Sequence, residues 1–194
     1  GQLAMTHTHH DPVGRARGDL EAVGHRAGCD DQAVVAGGRQ RAGQPGEHAG
    51  TLVLDAKLAP DTSTLAPAMD MRFWGALYAA KYAAPKIRPG GSITFMSGTA
   101  SRRPLPGASV ATASCGAVDA FARGLALDLA PIRVNTIQPG YVDTPLFDGI
   151  FGAQRDEILA AAGAKLPVGR IGRPDEIAQA VLFLMKNGYV TGIN

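Results

Sequence analysis

The feature that most constrains the fold of this chain is a pair of short apolar runs with a helix-patterned segment between them. The runs are Ser92 to Met96 and Ile132 to Ile137, and both have the composition of strands that are buried on both faces. The segment between them stops near Pro131, and its apolar side chains recur at helical spacing, at Val118, Phe121, Leu125 and Leu129. Because a helix that joins two such strands crosses over a sheet, the pattern predicts parallel strands in an open α/β domain.

The same alternation extends in both directions along the chain. Thr51 to Leu54 is a further apolar run that suits a buried strand, and Asp70 can cap a helix after it. A last helix opens with Pro174 at its first position. Ligands of such sheets bind outside the carboxyl ends of the strands, so we expect a site in the loops after Leu54, Met96 and Ile137.

Residues 1–50 differ in composition from the rest of the chain. They contain no aromatic residue and few large aliphatic residues, while glycine, arginine, histidine and glutamine recur without a helical or strand period. Their ordered-looking pieces are a candidate helix, Asp19 to Val23, and an apolar run, Ala33 to Ala36. Ordering a residue costs about 1 to 2 kcal/mol of backbone entropy, which this composition cannot offset by apolar burial. We therefore predict an irregular or loosely packed segment 1–50 and an α/β domain over 51–194.

Composition and charge argue against several classes of protein. The formal net charge of +2 is too small for the basic stripe that nonspecific nucleic-acid binding needs. The N-terminus lacks the apolar core of a signal peptide, and no apolar run approaches the roughly 20 residues of a membrane span. Two cysteines, Cys29 and Cys115, cannot form a disulfide framework. We expect a cytoplasmic protein that binds neither nucleic acid nor membrane.

No metal site is predicted. Imidazole and carboxylate groups cluster near the N-terminus, at His7, His9, His10 and Asp11. We favour a solvated tail over a metal site there, because the segment has no scaffold to hold the ligands in place.

Four segments, in order along the chain, are similar to the short-chain dehydrogenase/reductase family. They are Gly91 to Ser97, Ala113 to Val118, Leu125 to Pro145 and Arg170 to Ala178. The resemblance implies a three-layer Rossmann-like parallel sheet, NAD or NADP as cofactor, and hydride transfer to or from a small-molecule alcohol or carbonyl. It also implies a homo-oligomer, a dimer or tetramer. Compared with the family, the first βαβ half of the sheet and its last strand are weak or missing.

The family's proton-transfer residues are replaced in this sequence. A tyrosine and, four residues later, a lysine act there in the family, and these positions are Ala111 and Cys115. The resemblance implies that Ser97 faces the substrate carbonyl, although strict register places Gly98 there and Thr99 is an alternative. A hydroxyl that closes a strand-end turn is the competing interpretation.

One other tyrosine and lysine have the same spacing. Tyr82 and Lys86 precede the serine strand, and Pro85 interrupts the helical turn between them. We therefore predict core packing for Tyr82 and solvent exposure for Lys86. The family's helix asparagine maps onto Arg72.

The cofactor-binding segments are only partly present. Gly43 to Gly46 and Gly50 have the wrong spacing for a pyrophosphate turn, and Leu54-Asp-Ala-Lys57 replaces a glycine-containing loop. The loop that the family uses to hold the nicotinamide corresponds to Pro139 to Thr144, which is called the nicotinamide loop below. The resemblance assigns cofactor contacts to Pro139, Gly140, Val142 and Thr144. A tight turn at the end of a strand is the alternative. Leu146 to Val168 corresponds to a substrate loop, in which Phe147, Ile150, Phe151 and Leu159 either line an apolar pocket or cover the sheet.

Three hypotheses follow from these observations. The chain is an NAD(P)-dependent oxidoreductase of low activity, or a noncatalytic relative that acts as an oligomer subunit or binding module. The third hypothesis is that residues 1–50 come from an altered reading of the coding sequence, because the composition changes abruptly at Gly50.

Overall fold

The computed structural model describes residues 33–36 and 69–194. In this part of the chain three strands form a parallel sheet in the order β1, β2, β3, namely Ala33–Ala36, Ser92–Met96 and Arg133–Ile137. Five α-helices accompany them: α1, Gly75–Ala83; α2, Ser109–Asp128; α3, Leu146–Phe151; α4, Arg155–Ala164; α5, Pro174–Lys186. The predicted open α/β architecture is confirmed.

The central strands form where the apolar runs predict them. Strand β2 has the predicted bounds, and β3 begins one residue later than predicted, at Arg133. The first four residues of each strand are buried, as in a sheet that is covered on both faces. The strand that pairs with β2 on the side away from β3 is β1, so one of the two ordered-looking pieces of segment 1–50 is a strand. The predicted strand Thr51 to Leu54 and helix Asp19 to Val23 lie outside the described residues.

One face of the sheet packs against α1 and α2. The buried cluster here joins Ile93 and Phe95 of β2 and Val134 of β3 to alanines and a valine of the two helices: Ala76, Ala80, Val118 and Ala122. Phe121 of α2 bridges the layers, with its ring centroid 5.9 Å from that of Phe95. Small side chains on the helices allow close approach to the sheet, so bulky residues on the strands fill the interface.

The segment before α1 departs from the predicted regular helix. Asp70–Trp74 forms a π-helical turn that leads directly into α1, and a 3₁₀ turn containing Pro85 follows the helix. The prediction of core packing for Tyr82 is wrong, because half of this residue's surface (50%) is exposed. Of the residues in this short helix, only Ala76 and Ala80 are buried.

Helix α5 covers the opposite face of the sheet and is held at both ends. At its N-terminus the Glu176 carboxylate accepts hydrogen bonds from the Arg173 backbone N–H (2.8 Å) and from the Arg170 guanidinium (2.6 Å). At its C-terminus Arg133 donates to the carbonyls of Leu184 (2.6 Å) and Met185 (2.9 Å). Arg133 pairs with Ser92, so it lies on the face away from Ile93 and Val134. A cation at this end of α5 also opposes the helix dipole.

Backbone pairing continues beyond β3 at the C-terminal segment. The N–H of Gly192 donates to the Val134 carbonyl (2.7 Å), and the N–H of Thr136 donates to the Ile193 carbonyl (2.9 Å). This segment, where the sequence indicates a weak or missing last strand, therefore pairs with β3 without forming a regular strand.

Helix α2 is long and apolar enough, by length and composition, to cross a membrane. By this criterion the prediction that no apolar run approaches the length of a membrane span is wrong. The helix is nevertheless one of the layers packed on the sheet, with Val118 and Ala122 in the core and Asp119 buried. Core helices of soluble proteins commonly have the same length and apolar composition, so this feature is weak evidence for a membrane span.

The carboxylate at the start of α5 makes acid stability sensitive to one residue. Hydrogen bonds from Arg170 and from the Arg173 backbone lower the pKa of Glu176 from its ordinary 4.5 to about 2. A lowered folded-state pKa stabilises the protein above the unfolded-state pKa, and this contribution is lost as the pH falls from about 4.5 through about 2. We predict that Glu176→Gln is less stable than the parent at neutral pH and that the difference shrinks across this window.

Urea unfolding of both proteins at several pH values checks this prediction. Glu157→Gln on α4 is the matched control, because Glu157 is exposed and forms no ion pair with another described residue. A stability difference between Glu176→Gln and the parent that stays constant from neutral pH to pH 2 would contradict the role given to Glu176.

Candidate functional site

The loops that follow β2 and β3 are joined by backbone hydrogen bonds. The N–H of Ser97 donates to the Ile137 carbonyl (2.8 Å), and the N–H of Thr99 donates to the Pro139 carbonyl (3.1 Å). These two bonds continue the parallel ladder past the ends of the strands. They bring the predicted carbonyl-facing residues beside the predicted nicotinamide loop.

A cavity of about 340 Å³ opens where these loops meet. It lies at the carboxyl ends of the strands, where an open α/β sheet binds its ligands. All five predicted site residues line it: Ser97, Pro139, Gly140, Val142 and Thr144. The structure thus brings these five together, while their chemical roles remain predictions.

The nicotinamide loop is fixed on its far side by the segment before α5. The N–H of Asp143 donates to the Gly172 carbonyl and the N–H of Gly172 donates to the Tyr141 carbonyl, both at 2.9 Å. Val142, which is buried, forms an isolated parallel bridge with Gly172. Because both sides of the loop are bonded, its position against the cavity does not depend on a ligand.

Helix α3 contributes apolar side chains to the cavity. Leu146, Phe147 and Ile150 line it, and the Phe147 ring stacks on that of Phe151 at 5.5 Å. Phe151 itself is not among the described lining residues, and Leu159 lines a neighbouring cavity of about 370 Å³. Of the four apolar residues considered for the substrate loop, two therefore face this cavity.

Arg155 ties the nicotinamide loop to α3 and α4. Its guanidinium contacts the carboxylates of Asp143, Asp148 (2.6 Å) and Asp156 (2.8 Å). The hydrogen bonds that the guanidinium donates to the carboxylates of Asp143 and Asp156 are the main reasons that the pKa of Arg155 is raised. These three carboxylates share Arg155, so the cluster joins the loop to the two helices, and Asp143, Arg155 and Asp156 line the neighbouring cavity of about 370 Å³.

The Ser97 hydroxyl is engaged by the protein itself. Ser97 is buried (7% exposed), and its Oγ donates to the Cys115 carbonyl on α2 at 3.1 Å. Because a carbonyl only accepts, the single hydroxyl proton of Ser97 is directed to α2 in this arrangement. The hydroxyl of Thr99 lines the same cavity, is exposed, and has no hydrogen-bond partner among the described residues.

Ala111 and Cys115 lie one turn apart on the buried face of α2. Ala111 is fully buried (0% exposed) and Cys115 is 2% exposed, with its thiol at the cavity wall. A Cβ added at Gly98 would lie 3.3 Å from the Cys115 Sγ, so glycine permits this close approach. Neither position offers a phenol or an ammonium group to the cavity.

Sequence reasoning did not identify two arginines of the cavity wall. Arg72, in the π-helical turn, donates through Nη1 to the Ser97 carbonyl at 3.2 Å, and Arg103 lines the cavity between β2 and α2. The sequence related Arg72 to the family's asparagine but contained no signal for its distance from Ser97. Ala108, Leu105 and Ile177 complete the apolar wall.

The alternative tyrosine and lysine pair is away from this site. Tyr82 and Lys86 are exposed and do not line the cavity, and the predicted exposure of Lys86 is confirmed. The glycines from Gly43 to Gly50 and the loop at Lys57 lie outside the described residues. Within the described part of the chain, no group of three or more His, Cys, Asp or Glu side chains is arranged to hold a metal ion.

Comparison with known proteins identifies related sequences. The profile of the family described as "Enoyl-(Acyl carrier protein) reductase" matches residues 50–194. The short-chain dehydrogenase/reductase malC of Malbranchea aurantiaca is 42% identical over 107 residues, which are 55% of this chain and 40% of the relative. The short-chain reductase protein NovJ of Streptomyces niveus is 40% identical over 109 residues, which are 53% of this chain and 41% of the relative. The chain thus spans about two fifths of the length of these curated relatives.

Solved structures of dehydrogenases have the same fold as this chain. A small-chain dehydrogenase in complex with NADPH aligns with a TM-score of 0.71 at 37% identity, covering 74% of this chain and 66% of that protein. The ligand-free aldohexose dehydrogenase of Thermoplasma acidophilum aligns with a TM-score of 0.72 at 25% identity, covering 83% and 64%. With a family profile that covers most of its length and related Rossmann folds among solved structures, this chain belongs to the short-chain dehydrogenase/reductase family.

Proposed function

We propose that the chain is an NAD(P)-dependent oxidoreductase of low activity that acts on a small-molecule alcohol or carbonyl. The observation that carries this proposal is the cavity at the carboxyl ends of β2 and β3, which joins the nicotinamide loop to Ser97 and Thr99. The dehydrogenase that binds NADPH and aligns at 37% identity supports a nicotinamide cofactor. A cytoplasmic location is part of the proposal, since a free thiol such as Cys115 suits a reducing compartment.

Two hydrogen-bond donors of the nicotinamide loop favour an amide ligand. The backbone N–H of Val142 and the hydroxyl of Thr144 have no hydrogen-bond partner among the described residues. Such groups cost free energy when buried unless a ligand or water satisfies them. They fit the carboxamide of a nicotinamide ring, with Pro139 and Gly140 shaping the backbone beside it.

A bound nicotinamide would supply or accept the hydride, and the residues of this chain would orient the substrate oxygen. The Thr99 hydroxyl, which has no hydrogen-bond partner among the described residues, can donate to that oxygen, whereas the Ser97 proton is used by the Cys115 carbonyl. The apolar side chains of α3 exclude water from one wall. Proton transfer would depend on water, because Ala111 carries no titratable group. Loss of a positioned acid–base group typically lowers the rate by about 10²- to 10⁴-fold.

The double variant Ala111→Tyr with Cys115→Lys tests this explanation of low activity. A phenol and a neighbouring cation on the buried face of α2 restore the family's proton donor, so we predict that NADPH-dependent reduction of 4-nitrobenzaldehyde rises by about 100-fold or more. The measurement is the initial rate of NADPH oxidation. NADPH binding and thermal unfolding of the same sample show that the variant is folded.

The matched control is Ala120→Tyr with Gly124→Lys. These positions have the same spacing on α2 but are exposed, so the control should keep the parent rate. A folded Ala111→Tyr, Cys115→Lys variant that binds NADPH yet turns over no faster than the parent would overturn the proposed role of position 111.

A noncatalytic subunit or binding module is the second candidate, and the exposed aromatic residues before and on α1 favour it. Trp74 is 43% exposed and Tyr82 is 50% exposed, and the Trp74 ring stacks on that of Tyr78 at 6.2 Å. Large apolar side chains that cluster at a surface mark association sites. In this family the helices that correspond to α1 and α2 commonly pair with a second copy.

We therefore predict that the chain forms a homodimer or homotetramer in which α1 is covered. Size-exclusion chromatography with light scattering should give a multiple of the chain mass, and Tyr82→Glu should shift the population toward the monomer. Tyr189→Glu is the control, because Tyr189 is exposed but lies after α5. A parent protein that is strictly monomeric would exclude the oligomer-subunit role.

A further inference from the structure

Two arginines give the cavity a positive charge that the proposed hydride transfer does not explain. Arg72 and Arg103 both line it, and none of the described lining residues is acidic. Arg72 is half-buried and uses Nη1 to donate to the Ser97 carbonyl at 3.2 Å. A guanidinium has five N–H donors, so most of the donors of Arg72 have no partner among the described residues.

The Arg72 guanidinium lies beside Gly98 in the cavity wall. A Cβ placed on Gly98 would be 3.9 Å from the Arg72 Nη1 and 3.3 Å from the Cys115 Sγ. The cation therefore stands beside the residues that follow β2 and near the position where the family has lysine. Arg103 is exposed, and its backbone N–H donates to the Thr99 carbonyl at 2.8 Å, which fixes its loop to the same wall.

The carboxylates on the elements around the cavity contact residues other than its two arginines. Asp143, Asp148 and Asp156 bind Arg155, and the buried Asp119 does not line the cavity: its Oδ2 accepts a hydrogen bond from Gln138 at 2.5 Å, and its Oδ1 has no partner among the described residues. Arg72 and Arg103 form no ion pair with any residue in the described part of the chain. An anionic ligand would thus meet no competing carboxylate on the described walls.

Most of the remaining described wall is apolar: Met96, Ala100, Leu105, Val142, Phe147 and Ile150. A partly desolvated guanidinium in such surroundings is best satisfied by a planar anion that accepts two parallel hydrogen bonds. A carboxylate has that geometry. The volume of about 340 Å³ and the apolar wall suit a small organic acid rather than a free inorganic anion.

We propose that the cavity binds a carboxylate-bearing and otherwise apolar small molecule, with Arg72 as the residue that anchors the carboxylate. Arg103 adds a weaker attraction from an exposed position. The interpretation of this molecule as the substrate rests on the proposed oxidoreductase function, whereas its binding does not. Arg72 is a binding residue that selects the ligand and takes no part in proton transfer.

The test compares 2-naphthoate with 2-naphthamide, a neutral compound of nearly the same shape. Each is titrated into the full chain without nicotinamide cofactor, by calorimetry. We predict that naphthoate binds about 10- to 100-fold more tightly than naphthamide, which is the usual contribution of hydrogen bonds to a charged group. Arg72→Gln should abolish this preference, and Arg72→Lys should retain part of it.

Two controls separate anchoring from folding. Naphthamide affinity should be the same in Arg72→Gln as in the parent, which shows that the cavity is intact. Arg88→Gln changes an exposed arginine outside the cavity and should leave both affinities unchanged. Equal affinity for the two compounds, binding of neither, or an undiminished preference in Arg72→Gln would each overturn the proposal.

Failure of this proposal is distinguishable from failure of the proposed function. If naphthoate binds through Arg72 and the Ala111→Tyr, Cys115→Lys variant shows no NADPH oxidation, the anion site stands and the oxidoreductase function fails. If that variant oxidises NADPH and naphthoate shows no preference, the oxidoreductase function stands and the carboxylate anchor fails.

Discussion

Two backbone hydrogen bonds beyond the strand ends hold the cavity in place. They join Ser97 to Ile137 and Thr99 to Pro139, and they require β2 and β3 to be in their observed parallel register. That register depends in turn on the fully buried Ile93, Phe95 and Val134, since a slip of one residue would move apolar side chains to the other face. The site is therefore a consequence of how the sheet packs. The side chains at its wall can change while the cavity persists.

Because the cavity depends on the packing of the sheet and not on the side chains of its wall, this chain can keep the fold of its family while the residues around the cavity differ. The nicotinamide loop keeps its bonds to the segment before α5, and α2 still packs on the sheet. On the inner face of α2, however, small or neutral side chains stand at Ala111 and Cys115, and the nearby cation comes from Arg72 on another element. Ser97 now satisfies a carbonyl of α2. The proposed weak proton transfer follows from Ala111, Cys115 and Ser97, and the proposed attraction for anions follows from Arg72.

The sequence predicted strands β2 and β3 and the helices that cover them, because their formation depends on local patterns of burial, whereas it placed β1 in a segment expected to be irregular. The bounds of β2 and the proline at the start of α5 needed only the apolar run and the capping residues. Tyr82 was predicted wrongly because helical spacing shows which residues share a face, but not how wide a buried face the neighbouring elements provide. In the short α1 only Ala76 and Ala80 are fully covered.

The site was predictable in part. Similarity to a family selected Ser97 and the loop from Pro139 to Thr144, and the structure places these residues in one cavity. The position of Arg72 beside Ser97 depends on the π-helical turn and on the crossing of α1 over the sheet, which no periodicity encodes. The hydrogen bond of Ser97 was equally hidden, because its acceptor is a backbone carbonyl that any residue at position 115 would carry.

We propose that this chain retains a working nicotinamide half of a dinucleotide site. Titration of reduced nicotinamide mononucleotide, followed by its fluorescence and compared with titration of ADP-ribose, tests it most directly. We predict that the mononucleotide binds saturably, that Thr144→Val weakens this binding several-fold, and that ADP-ribose binds no more tightly than the mononucleotide. Saturable binding of ADP-ribose without binding of the mononucleotide would contradict it.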